Sequence, residues 1–438
     1  MRTISRRTTG LLSILFAAGP AWGQVFDLTE TPREGDCFRL ASETNLSGTL
    51  KVARDGKPAS IRIGAKNEHA FAERILTVEK RVARNAARHY ATAVSRATVD
   101  GNPVVRALPA DRRQIVAQRN PDGLFCYSPA GPLTRPDLEV VSEHFETLHL
   151  PGVLPGRAVR VGESWKLDST TAQSLCLFDG LISHELNAQL KDVSGQLASI
   201  SIDGTARGIE NGALAALTVA ATVRFDLTQK RIVAVEWKQK DVREAGPATP
   251  AAEVETVTVL KREPLAKEPA ELAAAAFPKA ADPPLLVKQL LQRDAKGRYQ
   301  FLHARDWHVV GQTDHHLVLR LLERGDFVAQ VTLTPWQNAG RGKQMAAEEF
   351  EQLTSTGTGW KPEQVLDRQQ VPTDADRRVY RLTVRGTLDG NPVVQSFYLL
   401  ATATGDQMIL TFTMPPASAP RLGTRDLELV NAIEFARK

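Results

Sequence analysis

Five segments between residues 60 and 260 alternate apolar and polar side chains at every second position. They are residues 60–63, 198–202, 217–225, 232–237 and 254–260. Because successive side chains of a strand point to opposite faces of a sheet, this period predicts half-buried strands of an antiparallel sheet. The alternation restricts the chain before residue 262 to a β-rich domain.

Residues 75–95 follow a different period. Apolar side chains recur there at steps of three and four residues, at Ile75, Val78, Val82, Ala86, Tyr90 and Val94. This spacing predicts one amphipathic helix with a single apolar stripe. The arginines between these positions predict a solvated helix face rather than a site for an anionic partner.

Residues 263–284 interrupt the composition of the chain, because they are rich in Ala, Pro and Lys. Such a segment lacks the regular apolar spacing of a packed element and is typical of a linker. The predicted organisation is an export signal at 1–24, a β-rich domain at 25–262, an Ala/Pro-rich linker at 263–284 and a second domain at 285–438.

Residues 285–438 predict a mixture of strands and helices. The strands are at 316–321, 327–333, 378–386, 393–402 and 407–414, and the helices are at 342–353 and 425–435. This order, with Asp306-Trp307 early in the domain and the apolar ending at 429–435, resembles the PsbP-like fold, an antiparallel sheet covered by helices. The resemblance implies a module that binds or scaffolds other proteins without catalysing a reaction.

The first domain has a recognisable corner at residues 161–165, with the sequence Val-Gly-Glu-Ser-Trp. On this motif it resembles a domain of uncharacterised bacterial envelope proteins, a resemblance that implies no particular activity. Its strand pattern is also similar to the half-barrel of lipoprotein carriers. The two domains together predict the α+β class, with an antiparallel β-rich domain, in one version a half-barrel with one helix, followed by a sheet flanked by helices.

The first 24 residues are typical of a secretory signal, with arginines, an apolar core at 11–18 and a small-x-small cleavage site at 21–23. The Arg6-Arg7 pair also resembles a twin-arginine signal, although Thr9 stands where that motif has a bulky apolar residue. Both export routes stay open. We expect a periplasmic or secreted protein without a membrane span, since no later stretch approaches the roughly 20 apolar residues that a span needs.

The chain carries 55 Lys and Arg residues against 50 Asp and Glu residues, a net charge of +5. Three of these positive charges, on Arg2, Arg6 and Arg7, belong to the predicted signal, which leaves about +2 for the mature chain. Nucleic-acid-binding proteins usually carry a strongly basic patch or stripe. We therefore expect no nucleic-acid partner.

Three cysteines, Cys37, Cys126 and Cys176, would lie in an oxidising compartment after export. One disulfide with one free thiol is a first interpretation, and no pair of partners is favoured. Each cysteine also has apolar neighbours, so three buried free thiols are the alternative.

Residues with metal-ligating side chains are concentrated in one short segment, at His303, Asp306, His308, Asp314, His315 and His316. If a strand begins at Asp306, then Asp306 and His308 share a face, and His316 on the next strand faces them. These three are weak metal candidates. Because the polarity of a hairpin loop explains the same residues, we expect no metal site.

Motifs for catalysis or for nucleotide cofactors are absent from the sequence. Ser164 lacks the second glycine of a nucleophile elbow, and Cys176 lies between leucines, which predicts burial rather than a thiol nucleophile near His184. No phosphate-binding glycine loop occurs. We expect no catalytic residue and no cofactor.

Tryptophans admit two interpretations in this chain. Five of them, Trp165, Trp237, Trp307, Trp336 and Trp360, are mostly at predicted strand ends or turns. An indole at such a position usually caps the core, and stacking on a ligand is the alternative.

The sequence thus predicts an exported, non-catalytic binding or assembly module of the bacterial envelope, whose partner is another envelope protein. A carrier of an apolar ligand such as a lipid, held in an N-terminal half-barrel, is the first alternative. A metal-dependent hydrolase that uses His308, His316 and Asp306 is the second.

Overall fold

The structure of the protein is a computed structural model. It describes residues 24–54, 57–79, 82–120, 123–142, 146–210, 212–247, 249–273, 277, 282–373 and 376–436. Antiparallel sheets dominate these residues and helices are few, which confirms the predicted α+β class.

Residues 25–264 form a large antiparallel sheet and a small one. In chain order the strands are β1 (Val25–Asp27), β2 (Cys37–Arg54), β3 (Lys57–Glu79), β4 (Val82–Val99), β5 (Asn102–Ala107), β6 (Gln114–Asn120), β7 (Gly123–Tyr127), β8 (Ala158–Arg160), β9 (Ser164–Lys166), β10 (Gly180–His184), β11 (Asn187–Ser194), β12 (Leu197–Glu210), β13 (Ala213–Asp226), β14 (Arg231–Arg243) and β15 (Ala251–Pro264). β1 pairs with β8. The other strands make the first sheet, in the order β7-β6-β4-β3-β2-β15-β14-β13-β12-β11-β9, with β5 beside β4 and β10 beside β12.

The two faces of the first sheet differ in polarity. Its outer face carries ion pairs between neighbouring strands, such as Lys51 Nζ with Glu253 Oε1 at 2.6 Å and Lys66 Nζ with Glu43 Oε2 at 3.0 Å. Along β13 nearly every second residue is buried on the inner face. The strands predicted from alternation therefore lie where the sequence places them.

Residues 133–178 fill one part of the inner face. They include the helices α1 (Arg135–Val141) and α2 (Ser169–Leu175), each of which begins at a side-chain cap, Thr134 for α1 and Asp168 for α2. Apolar side chains of this segment share one buried cluster with the inner residues of β12, β13 and β14. This part of the inner face is therefore protein core.

The inner face is less covered near the turn between β4 and β5. Leu46, Leu50, Ile61, Ile63 and Val99 lie there on one side of the sheet, because Leu50 pairs with Ile61 and Ile63 pairs with Val99. These five residues, here termed the aliphatic row, are half-buried or exposed. They lie outside the buried clusters of the described residues. This end of the inner face therefore keeps accessible apolar surface.

The helix predicted at residues 75–95 is wrong. Its described residues form the adjoining ends of β3 and β4. Ile75 and Ala86 are buried on the inner face, whereas Leu76 and Ala87 are buried in a separate cluster. Because both faces are covered, buried positions no longer alternate, and irregular pairing between β3 and β4 shifts the pattern further. The resulting spacing imitates a helical stripe.

The predicted linker is packed on the first sheet where it is described. Leu272 is fully buried, and it shares a cluster with Phe277 and with Val116 of β6. Arg74 Nη1 of β3 donates to the carbonyl of Leu272 at 3.1 Å and lies 3.1 Å from Glu268 Oε1. The domain boundary predicted at residues 263–284 stays a prediction. The described residues of this segment cover part of the outer face of the first sheet.

Residues 285–435 form a second sheet with helices on both faces. The strands are β16 (Leu290–Arg293), β17 (Tyr299–His303), β18 (Trp307–Gln312), β19 (Leu317–Glu323), β20 (Asp326–Trp336), β21 (Trp360–Val371), β22 (Arg377–Leu388), β23 (Asn391–Thr402), β24 (Gln407–Met414) and β25 (Glu434–Phe435). The helices are α3 (Leu285–Lys288), α4 (Ala347–Ser355), α5 (Ala419–Leu422) and α6 (Arg425–Ala432). The second sheet has the order β18-β19-β20-β24-β23-β22-β21, and β16, β17 and β25 make a smaller one.

β23 lies between two apolar layers, one on each face of the second sheet, because nearly all of its residues are buried. Tyr398 packs in the cluster that contains Leu429 of α6. Phe397, on the opposite face, packs in the cluster that contains Phe350 of α4. The predicted strands at 378–386, 393–402 and 407–414 are therefore confirmed, and the predicted helix before them begins at Ala347.

β21 is an edge strand that the sequence did not predict. Most of its residues between Trp360 and Val371 are exposed, so it shows no alternation of apolar and polar positions. Its pairing with β22 is irregular after Pro362 and again after Val365. The strand therefore departs twice from regular ladder geometry.

β18, the opposite edge strand, is in contact with the first part of the chain. Arg135 of α1 donates from Nη2 to the carbonyls of Arg305 and Trp307, at 3.0 and 3.1 Å. The Arg305 guanidinium lies 3.9 Å from the ring centroid of Phe125. This edge is therefore partly covered by polar and cation–π contacts.

Candidate functional site

A cleft of about 350 Å³ opens on the face of the second sheet that α4 partly covers. Its floor comes from three neighbouring strands and consists of Thr334 and Trp336 of β20, Gln395 and Phe397 of β23, and Ile409 and Thr411 of β24. The members of each pair are two residues apart, so they lie on one face of the sheet. The strand register places Thr411 beside Phe397 and Ile409 beside Thr334.

The rim of the cleft follows α4 and the loop after it. It consists of Leu353, Thr354, Thr356, Gly357, Thr358, Trp360 and Leu388. Two rim hydroxyls already have acceptors, because Thr354 donates to the carbonyl of Glu351 and Thr356 donates to that of Leu353, both at 3.0 Å. These bonds satisfy carbonyls at the end of α4.

The lining of the cleft is uncharged. Its thirteen residues are threonines, tryptophans, leucines and single glycine, glutamine, phenylalanine and isoleucine residues, and none is Asp, Glu, His, Cys, Lys or Arg. General acid–base chemistry uses a side chain that gains or loses a proton near the working pH. The lining therefore suits binding of a neutral group better than proton transfer.

Glu351 fastens α4 beside the cleft. Its Oε1 accepts a hydrogen bond from the Tyr380 hydroxyl of β22 at 2.6 Å, and Arg368 Nε lies 2.9 Å from its Oε2. The Tyr380 hydrogen bond is the main cause that lowers the pKa of Glu351, with Arg368 as a further cause. Burial, and then the same hydrogen bond, raises the pKa of Tyr380 to about 12. The helix is thus held to the sheet by a carboxylate at neutral pH.

Trp360 forms one wall of the cleft and is only 8% exposed. Its ring lies 6.3 Å from that of Phe397 in an edge-to-face arrangement. Its indole Nε1 is buried and has no hydrogen-bond partner among the described residues. A buried indole N–H usually finds an acceptor, so this donor requires an explanation.

Of the five tryptophans discussed in the sequence analysis, some lie in the core or satisfy its polar groups, and two line the cleft. Trp237 and Trp307 are fully buried, and the indole N–H of Trp165 donates to the carbonyl of Val153 at 2.9 Å. Trp336 and Trp360 line the cleft. The ligand-stacking interpretation therefore stays open for these two residues.

The three weak metal candidates are not brought together. β18 begins at Trp307, so the two-residue alternation does not extend to Asp306, whose Oδ2 lies 3.9 Å from Arg425 Nη1 of α6. His308 pairs with Arg320 across the hairpin. His316 is exposed in the loop, where its carbonyl accepts from the Thr313 N–H. Among the described residues, no group of three or more His, Cys, Asp or Glu side chains could hold a metal ion.

Two histidines near the edge of the second sheet are held neutral. Burial is the main cause that lowers the pKa of His303 to about 4 and that of His308 to about 4, and the charge of Arg135 lowers both further. The unfolded chain, with a histidine pKa near 6.5, binds these protons first as the pH falls. Stability contributed by the neutral rings is therefore complete above about pH 6.5 and is lost between about pH 6.5 and pH 4.

We expect His308→Asn to lose less stability on acidification than the unsubstituted protein. Between pH 7 and pH 5 the difference in the free energy of unfolding should be about 1 kcal/mol, allowing for the partial contact of His308 with solvent. Urea unfolding at both pH values measures it. The control Gln312→Asn, at an exposed residue of the same strand without a titratable group, should keep the unsubstituted pH dependence, and an equal response of the two variants would contradict the assignment.

All three cysteines are buried free thiols in the structure, so the predicted disulfide is not formed there. Burial raises the pKa of the Cys176 thiol to about 12. The thiolate needed for nucleophilic attack is therefore scarce at neutral pH. Its burial agrees with the prediction made from the neighbouring leucines.

No helix among the described residues is long and apolar enough to cross a membrane.

No protein-family model matches the chain, and no curated protein matches it.

Several solved structures are similar to parts of the chain. Cyanobacterial PsbP (CyanoP) from Synechocystis is 13% identical with a TM-score of 0.27, over 34% of this chain and 93% of that one. The Ran-binding protein Mog1p of Saccharomyces cerevisiae is 12% identical with a TM-score of 0.26, over 34% of this chain and 95% of that one. Lipovitellin is 9% identical with a TM-score of 0.30, over 54% of this chain and 26% of that one. A weak PsbP-like resemblance is thus present.

Proposed function

We propose that this protein is an exported, non-catalytic binding module of the bacterial envelope, and that it binds a segment of another envelope protein in the cleft of the second sheet. The observation that carries the proposal is the uncharged lining of that cleft, with Trp336 and Trp360 beside threonines and Gln395. Such a mixture of aromatic surface and a few polar groups is typical of binding sites. The export signal expected from residues 1–24 lies almost wholly outside the described residues and supports the envelope location as a sequence feature.

Binding is a better account of the cleft than catalysis. Its hydroxyl groups belong to threonines, and none of its lining residues could act as the general base that activates a hydroxyl nucleophile. Aromatic side chains, in contrast, are enriched at interfaces because they bury a large area and lose little conformational freedom. The cleft is suited to hold a partner at low entropic cost.

A carrier of an apolar ligand is a second candidate, favoured by the aliphatic row on the first sheet. Its side chains offer no hydrogen-bonding group, and the backbone of the strands that carry them is paired within the sheet. A peptide laid there would leave its own amide groups without partners, which is unfavourable, whereas an alkyl chain has none to satisfy. The row would therefore hold a hydrocarbon chain.

One experiment distinguishes the two candidates. The mature chain is purified gently from the periplasm, and native mass spectra are compared with denaturing spectra of the same sample. Co-purifying protein points to the binding module, and a small mass that is lost on denaturation points to the carrier. A bare chain in the native spectrum contradicts both.

Substitutions assign the observed mass to a site. Thr358→Arg places a charge on the exposed rim of the cleft, and we expect it to reduce the captured protein at least tenfold. Thr92→Arg, at an exposed position of β4, is the matched control and should capture as much as the unsubstituted chain. Equal capture by all three contradicts the cleft as the binding site. Ile61→Glu in the aliphatic row should remove a bound lipid and leave protein capture unchanged.

A further inference from the structure

The two sheets meet through polar groups, in a surface here termed the sheet contact. Arg135 of α1 donates from Nη2 to the carbonyls of Arg305 and Trp307. Arg320 Nη1 of β19 donates to the carbonyl of Pro247, in the loop after β14, at 2.6 Å. No buried apolar cluster of the described residues contains side chains from both the first and the second sheet. The sheet contact can therefore open without exposing either apolar core.

His303 of β17 lies at the sheet contact in its neutral form. It is 3% exposed, and its Nδ1 lies 2.8 Å from the carbonyl of Ala304. Because a carbonyl can only accept, Nδ1 carries the proton and Nε2 does not. Nε2 is buried and has no hydrogen-bond partner among the described residues. A second proton would thus create a buried, charged N–H without an acceptor, which is unfavourable while the contact is closed.

His308 of β18 lies between the two arginines of the sheet contact. It follows Trp307, whose carbonyl accepts from Arg135, and it is directly opposite Arg320 in the ladder of β18 and β19. Opposite residues of antiparallel strands share a face, and like charges at such positions repel each other. Burial, and then the charge of Arg135, lowers the pKa of His308. A protonated His308 would therefore repel both arginines that join the sheets.

The groups that surround the two histidines are mainly cationic. The charged and titratable residues near them or beside their arginines are Arg135 and Glu139 of α1, Cys126 of β7, Lys288 of α3, Arg305 and Asp306 before β18, and Arg320 of β19. Glu139 already forms an ion pair with Arg106. Asp306 Oδ2 lies 3.9 Å from Arg425 Nη1. Two further positive charges at the sheet contact would therefore meet repulsion that these carboxylates do not balance.

We propose that acidification opens the sheet contact, because protonation of His303 and His308 releases Arg135 and Arg320 from their carbonyl acceptors while each sheet stays folded. The sheets remain joined through β16, which pairs with β17 and buries Leu290 in the cluster of the first sheet. The open form binds protons with the ordinary histidine pKa near 6.5, whereas the closed form has both histidine pKa values at about 4. The ratio of open to closed molecules therefore rises as the pH falls from about 6.5 to about 4, on the order of 10- to 100-fold for each histidine.

The test follows the shape of the mature full chain by small-angle X-ray scattering between pH 7 and pH 4. Near-ultraviolet circular dichroism of the same samples reports whether the cores stay packed. We expect the radius of gyration to increase on acidification while the near-ultraviolet spectrum is unchanged. Histidine imidazole signals in NMR spectra should titrate at the midpoint of this expansion.

Substitutions assign the titration to the two histidines. The double variant His303→Asn with His308→Asn keeps an amide donor for the Ala304 carbonyl but cannot be protonated, and we expect its midpoint to fall by at least about one pH unit. Gln312→Asn, at an exposed residue of β18, is the matched control and should keep the unsubstituted midpoint. If the double variant lacks the near-ultraviolet signal at pH 7, His308→Asn alone replaces it and should lower the midpoint by a smaller amount.

Three results would overturn the proposal. The first is a radius of gyration that stays constant down to pH 4. The second is an expansion accompanied by loss of the near-ultraviolet signal, since the chain then unfolds instead of separating its sheets. The third is one common midpoint for the unsubstituted chain, the Gln312→Asn control and the histidine variants, because other groups then carry the titration.

Discussion

Arg88→Met should lower the free energy of unfolding by about 3–5 kcal/mol, because it leaves a buried carboxylate without its partner. Arg88 and Glu73 are both buried, and Arg88 Nε lies 2.9 Å from Glu73 Oε2. Arg88 Nη2 also donates to Thr147 Oγ1 at 2.8 Å, which joins the segment after α1 to β3 and β4. Urea unfolding followed by circular dichroism measures the loss.

The same strand provides the control for this ion pair. Arg84 lies 2.9 Å from Glu79, but the side chains of this pair are 36% and 57% exposed. Arg84→Met should therefore cost about 0–1 kcal/mol. The double substitution Arg88→Met with Glu73→Leu should recover most of the stability, because both charges are then absent. A single Arg88→Met variant as stable as Arg84→Met would show that the pair is solvated.

Leu272→Ala should destabilise the protein by about 2–5 kcal/mol, although the composition around Leu272 predicts a linker. Its side chain is 0% exposed and packs with Val116 and Tyr127 on the outer face of the first sheet. Truncation removes buried methyl groups and leaves a cavity between the segment and the sheet. Thermal and urea unfolding both report the change.

Leu285→Ala is the matched control, because it makes the same chemical change at a residue that is 71% exposed. It should alter the free energy of unfolding by no more than about 0.5 kcal/mol. Similar small effects at both leucines would mean that residues 263–284 are a free tether in solution. A large effect at Leu272 alone would make this segment part of the folded structure.

The strands were predictable wherever one face of a sheet is solvated. The period of two at residues 217–225 reports a strand with a polar outer face, and β13 has that geometry. Prediction failed at residues 75–95, because β3 and β4 are covered on both faces there and the period is lost. It failed at β21 for the opposite reason, since an exposed edge leaves too few buried positions to produce a pattern.

The cleft could not be predicted as a site. From the sequence, Trp336 and Trp360 belong to a group of tryptophans that lie mostly at predicted strand ends or turns, where an indole usually caps the core and stacking on a ligand is only the alternative. The structure brings them to one face with Gln395 and Ile409, which are distant in sequence. This proximity depends on strand order, which places β24 between β20 and β23. The spacing of apolar residues within one segment predicts a strand but does not predict which strands become its neighbours.

The edges of the second sheet bear on whether copies of the protein can aggregate by adding strands to one another. An exposed edge strand is a template on which other chains can add strands and aggregate. Irregular pairing after Pro362 and Val365 bends β21 away from the straight, fully hydrogen-bonded geometry that such addition requires. At the other edge, Arg135 already occupies the carbonyl of Trp307. Both features make the edges of the sheet poor templates for strand addition, and neither involves the face on which the cleft opens.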